Sequence, residues 1–363
     1  MNHPFRVAIN GYGRIGRCVL RALVESGRDR DIELVAINEP ADLSSMAYLT
    51  HFDSTHGVFP GTVEEAPEGL RINGRLIRVH HGRAPDDCPW GDLGIDLLLE
   101  CSGAYGTRDA LEAFLDAGCP RVLVSQPARS AADVDHTVVY GINDGGLDAS
   151  QRIVSAASCT TNAIVPVLDL LDRGPGVRNA YLTTLHSVMN DQPMIDGYHH
   201  ADLRRTRSAM QSIVPVSTGL AQGVERLLPG LAGRIQAKAV RVPILNVSAI
   251  DLAVNLRQPS DVEALNGLFR EAARERPELL ACTNRPHASV DFNHDPHSAI
   301  VDLSHTRVNG GDFANLLIWF DNEWGFANRM LDVAQAWAAL FMGVSAEAAG
   351  QPSIFPQGAR HHG

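Results

Sequence analysis

A cysteine at the start of a predicted helix is the strongest candidate for chemistry in this sequence. Cys159 lies within residues 155–162, Ser-Ala-Ala-Ser-Cys-Thr-Thr-Asn, which separate a strand-like run from a helical run over residues 163–171. The free backbone N–H groups and the positive end of the helix dipole lower the pKa of a thiol there and favour the thiolate. The alternative is a buried packing cysteine, but the hydroxyls of Ser158 and Thr160 favour a reactive one.

A glycine-rich turn near the N terminus predicts a dinucleotide site. Gly11, Gly13 and Gly16 follow a short apolar strand and open an amphipathic helix, which lets the backbone approach a pyrophosphate at the helix N terminus. The next predicted strand ends at Glu39, where an acidic residue is expected to meet the adenosine ribose. The alternative is a solvated glutamate at a strand end. Because a carboxylate disfavours a 2′-phosphate, the pattern predicts NAD rather than NADP.

His186, at the end of a later predicted strand, is the candidate base for the thiol. A cysteine nucleophile needs such a partner to accept its proton. The alternative is a histidine that packs in the core or lies on the surface. A thiolate beside a nicotinamide would add to an aldehyde, pass a hydride to the cofactor and leave a thioester for a second nucleophile to release.

The order of predicted elements indicates an α/β protein with two domains, as its 363 residues also suggest. Strands and helices alternate up to residue 158, which predicts a Rossmann-type doubly wound parallel sheet. Long strands then dominate, which predicts an α+β catalytic domain with a mostly antiparallel sheet. We expect an NAD-binding domain over residues 1–158 that is completed by a helix over 326–342, a catalytic domain over 159–321, and a flexible tail over 343–363.

Composition narrows the function classes. The net charge of -11 argues against nucleic acid as the main partner, because phosphate backbones require clustered Lys and Arg. Six scattered cysteines with no C-x-x-C pair, and histidines without helical ligand spacing, predict a reducing cytoplasm and no metal site. The chain enters a strand at Phe5 without a leader-like segment, and no apolar run approaches membrane-spanning length. We therefore expect a cytoplasmic protein without a membrane partner.

Five short segments resemble the glyceraldehyde-3-phosphate dehydrogenase superfamily. They are Asn-Gly-Tyr-Gly-Arg-Ile-Gly at 10–16, Ser-Cys-Thr-Thr-Asn at 158–162, Arg-Val-Pro at 241–243, Asn-Val-Ser at 246–248 and Asp-Asn-Glu-Trp-Gly at 321–325. The block at the cysteine and the Asp-Asn-Glu block are far more specific than the glycine turn. A semialdehyde dehydrogenase has a similar layout but lacks the cysteine block in this form.

Three further segments, at 185–192, 202–208 and 290–302, resemble the erythrose-4-phosphate dehydrogenase branch of that superfamily most closely. This resemblance implies NAD-dependent oxidation of D-erythrose 4-phosphate to 4-phosphoerythronate through a cysteine thiohemiacetal and a hydrolysed thioester, which would feed pyridoxal phosphate synthesis. The alternative is a phosphorylating glyceraldehyde-3-phosphate dehydrogenase. A different class is a non-catalytic binding or redox-sensing protein, against which the presence of both Cys159 and His186 argues.

The resemblance also implies a role for each matching residue. Cys159 is the implied nucleophile and His186 the acid or base. The implied NAD contacts, together with the glycines of the turn, are the backbone amides of Arg14 and Ile15 and the side chains of Glu39, Arg83 and Asn322. The implied phosphate contacts are Arg205 and Arg241, with a second anion pocket at Ser158, Thr160, Thr218 and Gly219. The segment 189–207 is implied to pack against a neighbouring subunit's cofactor in a homotetramer.

The sequence departs from the family pattern at three positions. Met189 stands where glycolytic members have a threonine, Ala156 replaces an asparagine, and Ala163 replaces a second cysteine. A methionine cannot hydrogen-bond a phosphate, so this pocket should hold phosphate differently or less tightly. The lost hydroxyl favours release of the thioester by water, which needs one anion site, over release by inorganic phosphate, which needs two.

Overall fold

The computed structural model describes residues 4–199 and 202–343, so the predicted tail lies outside the described residues beyond Gly343. The strands are β1 (Phe5–Asn10), β2 (Ile32–Asn38), β3 (Phe52–Asp53), β4 (Gly57–Val58), β5 (Val63–Ala66), β6 (Gly69–Ile72), β7 (Arg75–His80), β8 (Leu97–Glu100), β9 (Val122–Val124), β10 (His136–Thr137), β11 (Ile153–Ser155), β12 (Val177–His186), β13 (Val214–Val216), β14 (Ile235–Arg241), β15 (Ser248–Leu256), β16 (Leu280–Thr283), β17 (Ala299–Asn309) and β18 (Phe313–Phe320). The α-helices are α1 (Arg14–Glu25), α2 (Leu43–His51), α3 (Arg108–Asp116), α4 (Cys159–Arg173), α5 (Leu220–Leu227), α6 (Val262–Glu275) and α7 (Trp324–Phe341).

The first sheet has nine strands in the order β10-β11-β9-β8-β1-β2-β7-β6-β5. The pairs from β10 to β7 are parallel, and β6 and β5 extend the edge in antiparallel fashion. Both faces are covered, since Leu97 and Leu99 join one core and Leu98 the other, which explains the unbroken apolar run of β8. The hairpin predicted at Asn73 and Gly74 joins β6 to β7, with φ of 48° and 82°.

The final helix returns to this first sheet. α7 packs along α1, and its Met330 and Trp337 are buried with the apolar residues of β1 and β8. The fold class predicted from the sequence, a Rossmann-type sheet with a second mostly antiparallel sheet, is confirmed. The predicted domain limits at residues 158 and 321 stay a prediction.

The second sheet has seven strands in the order β13-β14-β12-β15-β18-β17-β16. Four of its neighbouring pairs are antiparallel, while β12 with β14 and β16 with β17 are parallel. α4 lies against this sheet, and Ile164, Val165 and Leu168 are fully buried among its strands. α4 therefore starts directly after the first sheet and packs on the second.

The predicted site residues lie where strands end. Gly11 follows β1, Glu39 follows β2, Cys159 follows β11 by four positions, His186 closes β12, and Asn322 follows β18. In open α/β sheets, ligands bind outside the carboxyl ends of the strands. Among the described residues, no helix is long and apolar enough to cross a membrane.

Candidate active site

A tight turn places Cys159 as the first residue of α4. Ala157 has a left-handed backbone (φ 59°), and Ser158 caps the helix by accepting a hydrogen bond from the Thr161 N–H at 3.1 Å. The buried amide of Asn162 reaches back to this turn and donates to the carbonyl oxygens of Ala156 (2.8 Å) and Ser158 (2.9 Å). The position of the thiol is thus fixed by its own helix.

The thiol and the predicted base meet. The Sγ of Cys159 lies 3.7 Å from Nε2 of His186. The other ring nitrogen, Nδ1, lies 2.9 Å from the carbonyl oxygen of Ser187. When Nδ1 donates its proton to that carbonyl, Nε2 presents a lone pair to the thiol and can accept its proton.

Burial keeps this pair neutral. Burial, followed by the charge of Arg241, lowers the pKa of His186 to about 4. Burial also raises the pKa of Cys159, although the Thr160 hydrogen bond and Arg241 act in the opposite direction. The sequence predicted a lowered thiol pKa from the helix dipole alone, because it did not reveal how deeply the sulfur is buried. Both shifts favour the neutral thiol and imidazole over the charged pair.

The two predicted phosphate-binding arginines lie on the catalytic side. Arg241 is opposite His186 in the parallel pair β12 and β14, and its Nη1 lies 3.1 Å from Nδ1 of that histidine. Arg205 pairs with Asp191 at 2.8 Å within the long segment after β12. Sequence analysis missed Asp191. Two guanidinium groups and one carboxylate leave an excess positive charge that suits a phosphate.

The residues of the second predicted anion pocket lie at the N-terminal ends of two helices. Thr160 Oγ1 lies 3.9 Å from the Cys159 sulfur, whereas the Ser158 hydroxyl is used by the cap of α4. Thr218 and Gly219 are exposed at the start of α5, which packs against α4. The hydroxyls of Thr160 and Thr218 thus lie at the N-terminal ends of neighbouring helices, and their role in phosphate binding stays a prediction.

The glycine turn packs closely against neighbouring backbone and leaves two helix donors free of helical acceptors. Gly11 has φ of 86°, and a Cβ there would lie 2.4 Å from the backbone of Ser102; a Cβ at Gly16 would lie 2.2 Å from the Gly11 carbonyl oxygen. Arg14 and Ile15 are the first two residues of α1, so their N–H groups have no acceptor within the helix. These donors fit the pyrophosphate of a dinucleotide.

The remaining predicted cofactor residues lie around the same turn. Glu39 accepts a hydrogen bond from the Tyr12 N–H at 2.8 Å, which ties the end of β2 to the turn before α1. Gly13 is the N-cap of α1. Arg83 is exposed in the loop after β7, the strand that neighbours β2. Glu39 and Arg83 therefore follow adjacent strand ends.

Two serines orient the amide of Asn322. Its Oδ1 accepts hydrogen bonds from Ser187 Oγ (3.1 Å) and Ser248 Oγ (2.8 Å), which leaves its Nδ2 as the free donor of the side chain. The neighbouring Asp321 caps α7 by accepting from the N–H groups of Glu323 and Trp324. Sequence analysis missed both serines, although Ser187 adjoins the histidine and Ser248 ends the Asn-Val-Ser segment. An amide held in this way suits recognition of a carboxamide.

One group of possible metal ligands occurs among the described residues. Cys18, His56 and Glu323 offer atoms within 4.8 Å of one another. The carboxylate of Glu323 is already held by the Arg14 guanidinium and by Nε2 of His56 at 3.0 Å. A cation would have to displace Arg14, so the group fits an ion-pair network better, and the absence of a metal site stays a prediction.

A Rossmann-type sheet with a glycine-rich turn, joined to a thiol and an imidazole in contact, fits a nicotinamide-dependent dehydrogenase. Two family models match the chain. Residues 5–108 match "Glyceraldehyde 3-phosphate dehydrogenase, NAD binding domain", and residues 158–322 match "Glyceraldehyde 3-phosphate dehydrogenase, C-terminal domain". The chain belongs to the glyceraldehyde-3-phosphate dehydrogenase superfamily, whose members are NAD-dependent oxidoreductases of phosphorylated sugar aldehydes. The predicted cofactor, NAD, is confirmed.

The orientation of Asn322 generates a prediction. Asn322→Asp keeps an oxygen for the two serines but replaces the free donor with an acceptor, so the nicotinamide carboxamide loses a hydrogen bond. We expect the dissociation constant of NAD to rise roughly tenfold, or about 1.4 kcal/mol, in calorimetric titrations. The exposed Asn309→Asp is the matched control. Equal NAD affinity in both variants would show that this amide does not contact the cofactor.

Proposed function

We propose that this enzyme oxidises D-erythrose 4-phosphate to 4-phosphoerythronate with NAD. The observation that carries the dehydrogenase chemistry is the 3.7 Å contact between Cys159 Sγ and His186 Nε2, beside a guanidinium at Arg241. The choice of the four-carbon substrate is supported by the resemblance of residues 185–192, 202–208 and 290–302 to the erythrose-4-phosphate branch. By that resemblance, the product feeds pyridoxal phosphate synthesis.

Each step of the proposed reaction is assigned to particular residues of this chain. His186 takes the thiol proton, the Cys159 sulfur bonds to the aldehyde carbon as the carbonyl π bond opens, and the oxygen takes the proton from His186 to give a thiohemiacetal. His186 accepts that proton again when the carbon is oxidised. Arg241 and Arg205 hold the substrate phosphate, while Asn322 and the turn at Gly11 hold the cofactor. NAD supplies the hydride acceptor when it is bound. The resulting thioester is released by water, which restores the thiol.

Release by water rests on Met189. Its side chain is 44% exposed and offers no hydroxyl, and its backbone N–H already donates to Gln192 Oε1 at 3.1 Å. Position 189 therefore offers no side-chain donor to a second anion. The alternative, a phosphorylating glyceraldehyde-3-phosphate dehydrogenase, is favoured by the second set of candidate anion ligands at Thr160 and Thr218.

We further propose that the enzyme is a cytoplasmic homotetramer. All six cysteines are unpaired, which suits a reducing compartment. The segment after β12 exposes several large apolar side chains, and such surface is typical of contacts between subunits. They are Met194, Ile195, Tyr198 and Leu203, each more than two-thirds exposed.

NADH formation on two aldehydes, each with and without inorganic phosphate, tests the substrate and the release step. We expect a higher kcat/KM for erythrose 4-phosphate than for glyceraldehyde 3-phosphate, and no change when phosphate is added. Cys159→Ser is the control and should give no NADH. A phosphate-dependent preference for the three-carbon aldehyde would establish the phosphorylating alternative.

Met189→Thr tests the role of this position. The new hydroxyl can donate one hydrogen bond to an anion, worth about 1 kcal/mol, so we expect inorganic phosphate to stimulate turnover roughly fivefold more than in the parent enzyme. Met189→Leu keeps an apolar side chain and should behave like the parent. If both variants respond to phosphate equally, the missing hydroxyl does not decide the release step.

Ile195→Asp tests the subunit contact. A carboxylate in an apolar interface would be buried without a partner, so we expect the variant to dissociate. Light scattering should give the parent enzyme about four times the 39.2 kDa mass of the chain, and the variant less. Val262→Asp, on the partly exposed side of α6, is the matched control and should keep the parent mass. A variant with unchanged mass would remove this segment from the interface.

A further inference from the structure

Arg241 makes a contact that phosphate binding alone does not require. Its Nη1 lies 3.1 Å from Nδ1 of His186 and 3.4 Å from the carbonyl oxygen of Ser187. Nδ1 itself lies 2.9 Å from the same carbonyl. A guanidinium only donates hydrogen bonds and a carbonyl oxygen only accepts them, so Nδ1 cannot bond both neighbours in one protonation state. It either donates to Ser187 or accepts from Arg241.

These two arrangements differ at the other ring nitrogen. When Nδ1 carries the proton, Nε2 has a lone pair and can accept the proton of Cys159. When Nδ1 accepts from Arg241, a neutral His186 carries its proton on Nε2 and cannot act as a base toward the thiol. The guanidinium of Arg241 therefore influences whether Nε2 of His186 has a lone pair for the thiol proton.

The positive charge of Arg241 also disfavours proton uptake by His186. Once His186 accepts the thiol proton, both ring nitrogens carry hydrogen and a cation faces the guanidinium at 3.1 Å. After burial, Arg241 is the main cause that lowers the pKa of His186. The carboxylates of Asp191 and Glu323 oppose this effect, and the Cys159 thiolate would also favour the charged ring.

We propose that Arg241 is a positioning residue that withholds His186 from its role as base until an anion occupies the guanidinium. The anion draws the Arg241 head away from Nδ1 and offsets its charge, so that Nδ1 donates to Ser187 and Nε2 accepts the proton. The tautomer change exchanges the ring proton with solvent, because the Nε2–H bond breaks and an Nδ1–H bond forms. In the step that follows, the Sγ–H bond breaks, a new Nε2–H bond forms, and nothing is oxidised. The inference rests on the proposed function in one respect, because it takes the anion to be the substrate's phosphate.

Arg205 offers a matched comparison. It is the other arginine proposed to hold the phosphate, but its Nη1 is bound to Asp191 and not to the histidine. Both arginines should contribute to anion affinity. Arg241, which faces His186 across β12 and β14, should carry the effect on the base.

The test follows the His186 ring by nuclear magnetic resonance in the full-length protein, with sulfate as the anion and no aldehyde present. His186→Asn identifies the signal, and calorimetry establishes saturation with sulfate. In the parent protein we expect sulfate to raise the titration midpoint by about one pH unit. In Arg241→Gln the midpoint should be raised without sulfate and should not respond to it. Arg205→Gln should keep the response, at higher sulfate concentrations.

Alkylation of Cys159 by iodoacetamide below neutral pH gives a second measurement. Saturating sulfate should accelerate it roughly threefold in the parent protein and in Arg205→Gln, and leave Arg241→Gln unchanged. The gain is smaller than the His186 shift alone would give, because the anion also offsets the help that Arg241 gives the thiolate. The proposal is overturned if sulfate does not bind, if it leaves the His186 midpoint in place, or if Arg241→Gln responds as the parent does. Neither measurement uses an aldehyde, so an error in the assigned substrate would leave the result standing.

Discussion

The amide of Asn162 holds the turn on which the site depends. It donates to two carbonyl oxygens of the preceding turn, at Ala156 and Ser158, from a position within the helix that the turn begins. The strand before the turn belongs to the first sheet, and the helix after it packs on the second. The distance from Cys159 to His186 therefore depends on the cores of both sheets and on the short turn that joins them.

Magnitudes explain why burial outweighs the helix dipole at this thiol. A helix N terminus contributes about 0.3–1 kcal/mol, and up to ~2 kcal/mol in favourable partly buried geometry. Removing an ion from water costs several kcal/mol in real proteins. His186 is buried and Cys159 is partly buried, so a charged pair needs compensation from outside the pair. The guanidinium of Arg241 helps the thiolate but opposes the imidazolium, and a bound anion changes that balance.

Local signals were sufficient for much of the fold and for the reactive pair. Each of three features is specified by residues that are neighbours in sequence: the apolar run of β8, the hairpin at Asn73 and the block around Cys159. The hydrogen bonds that support the site join residues that are distant in sequence. Ser187 and Ser248 meet Asn322 because β12, β15 and β18 pair in one register, and Arg241 meets His186 because β14 lies parallel to β12. No local pattern specifies that register, and none specifies the depth of burial that sets the thiol pKa.

Three consecutive residues after β18 each serve a different part of the molecule. Asp321 caps α7, Asn322 is held by the serines beside the histidine, and Glu323 binds Arg14 at the start of α1. One inserted or deleted residue here would turn each side chain away from its partner at the same time. The opposite end of β18 is a turn at Gly310 and Gly311, which makes none of these contacts. We therefore expect a change of chain length to be tolerated better at that turn than in the three residues after β18, where only substitution keeps all three partners in reach.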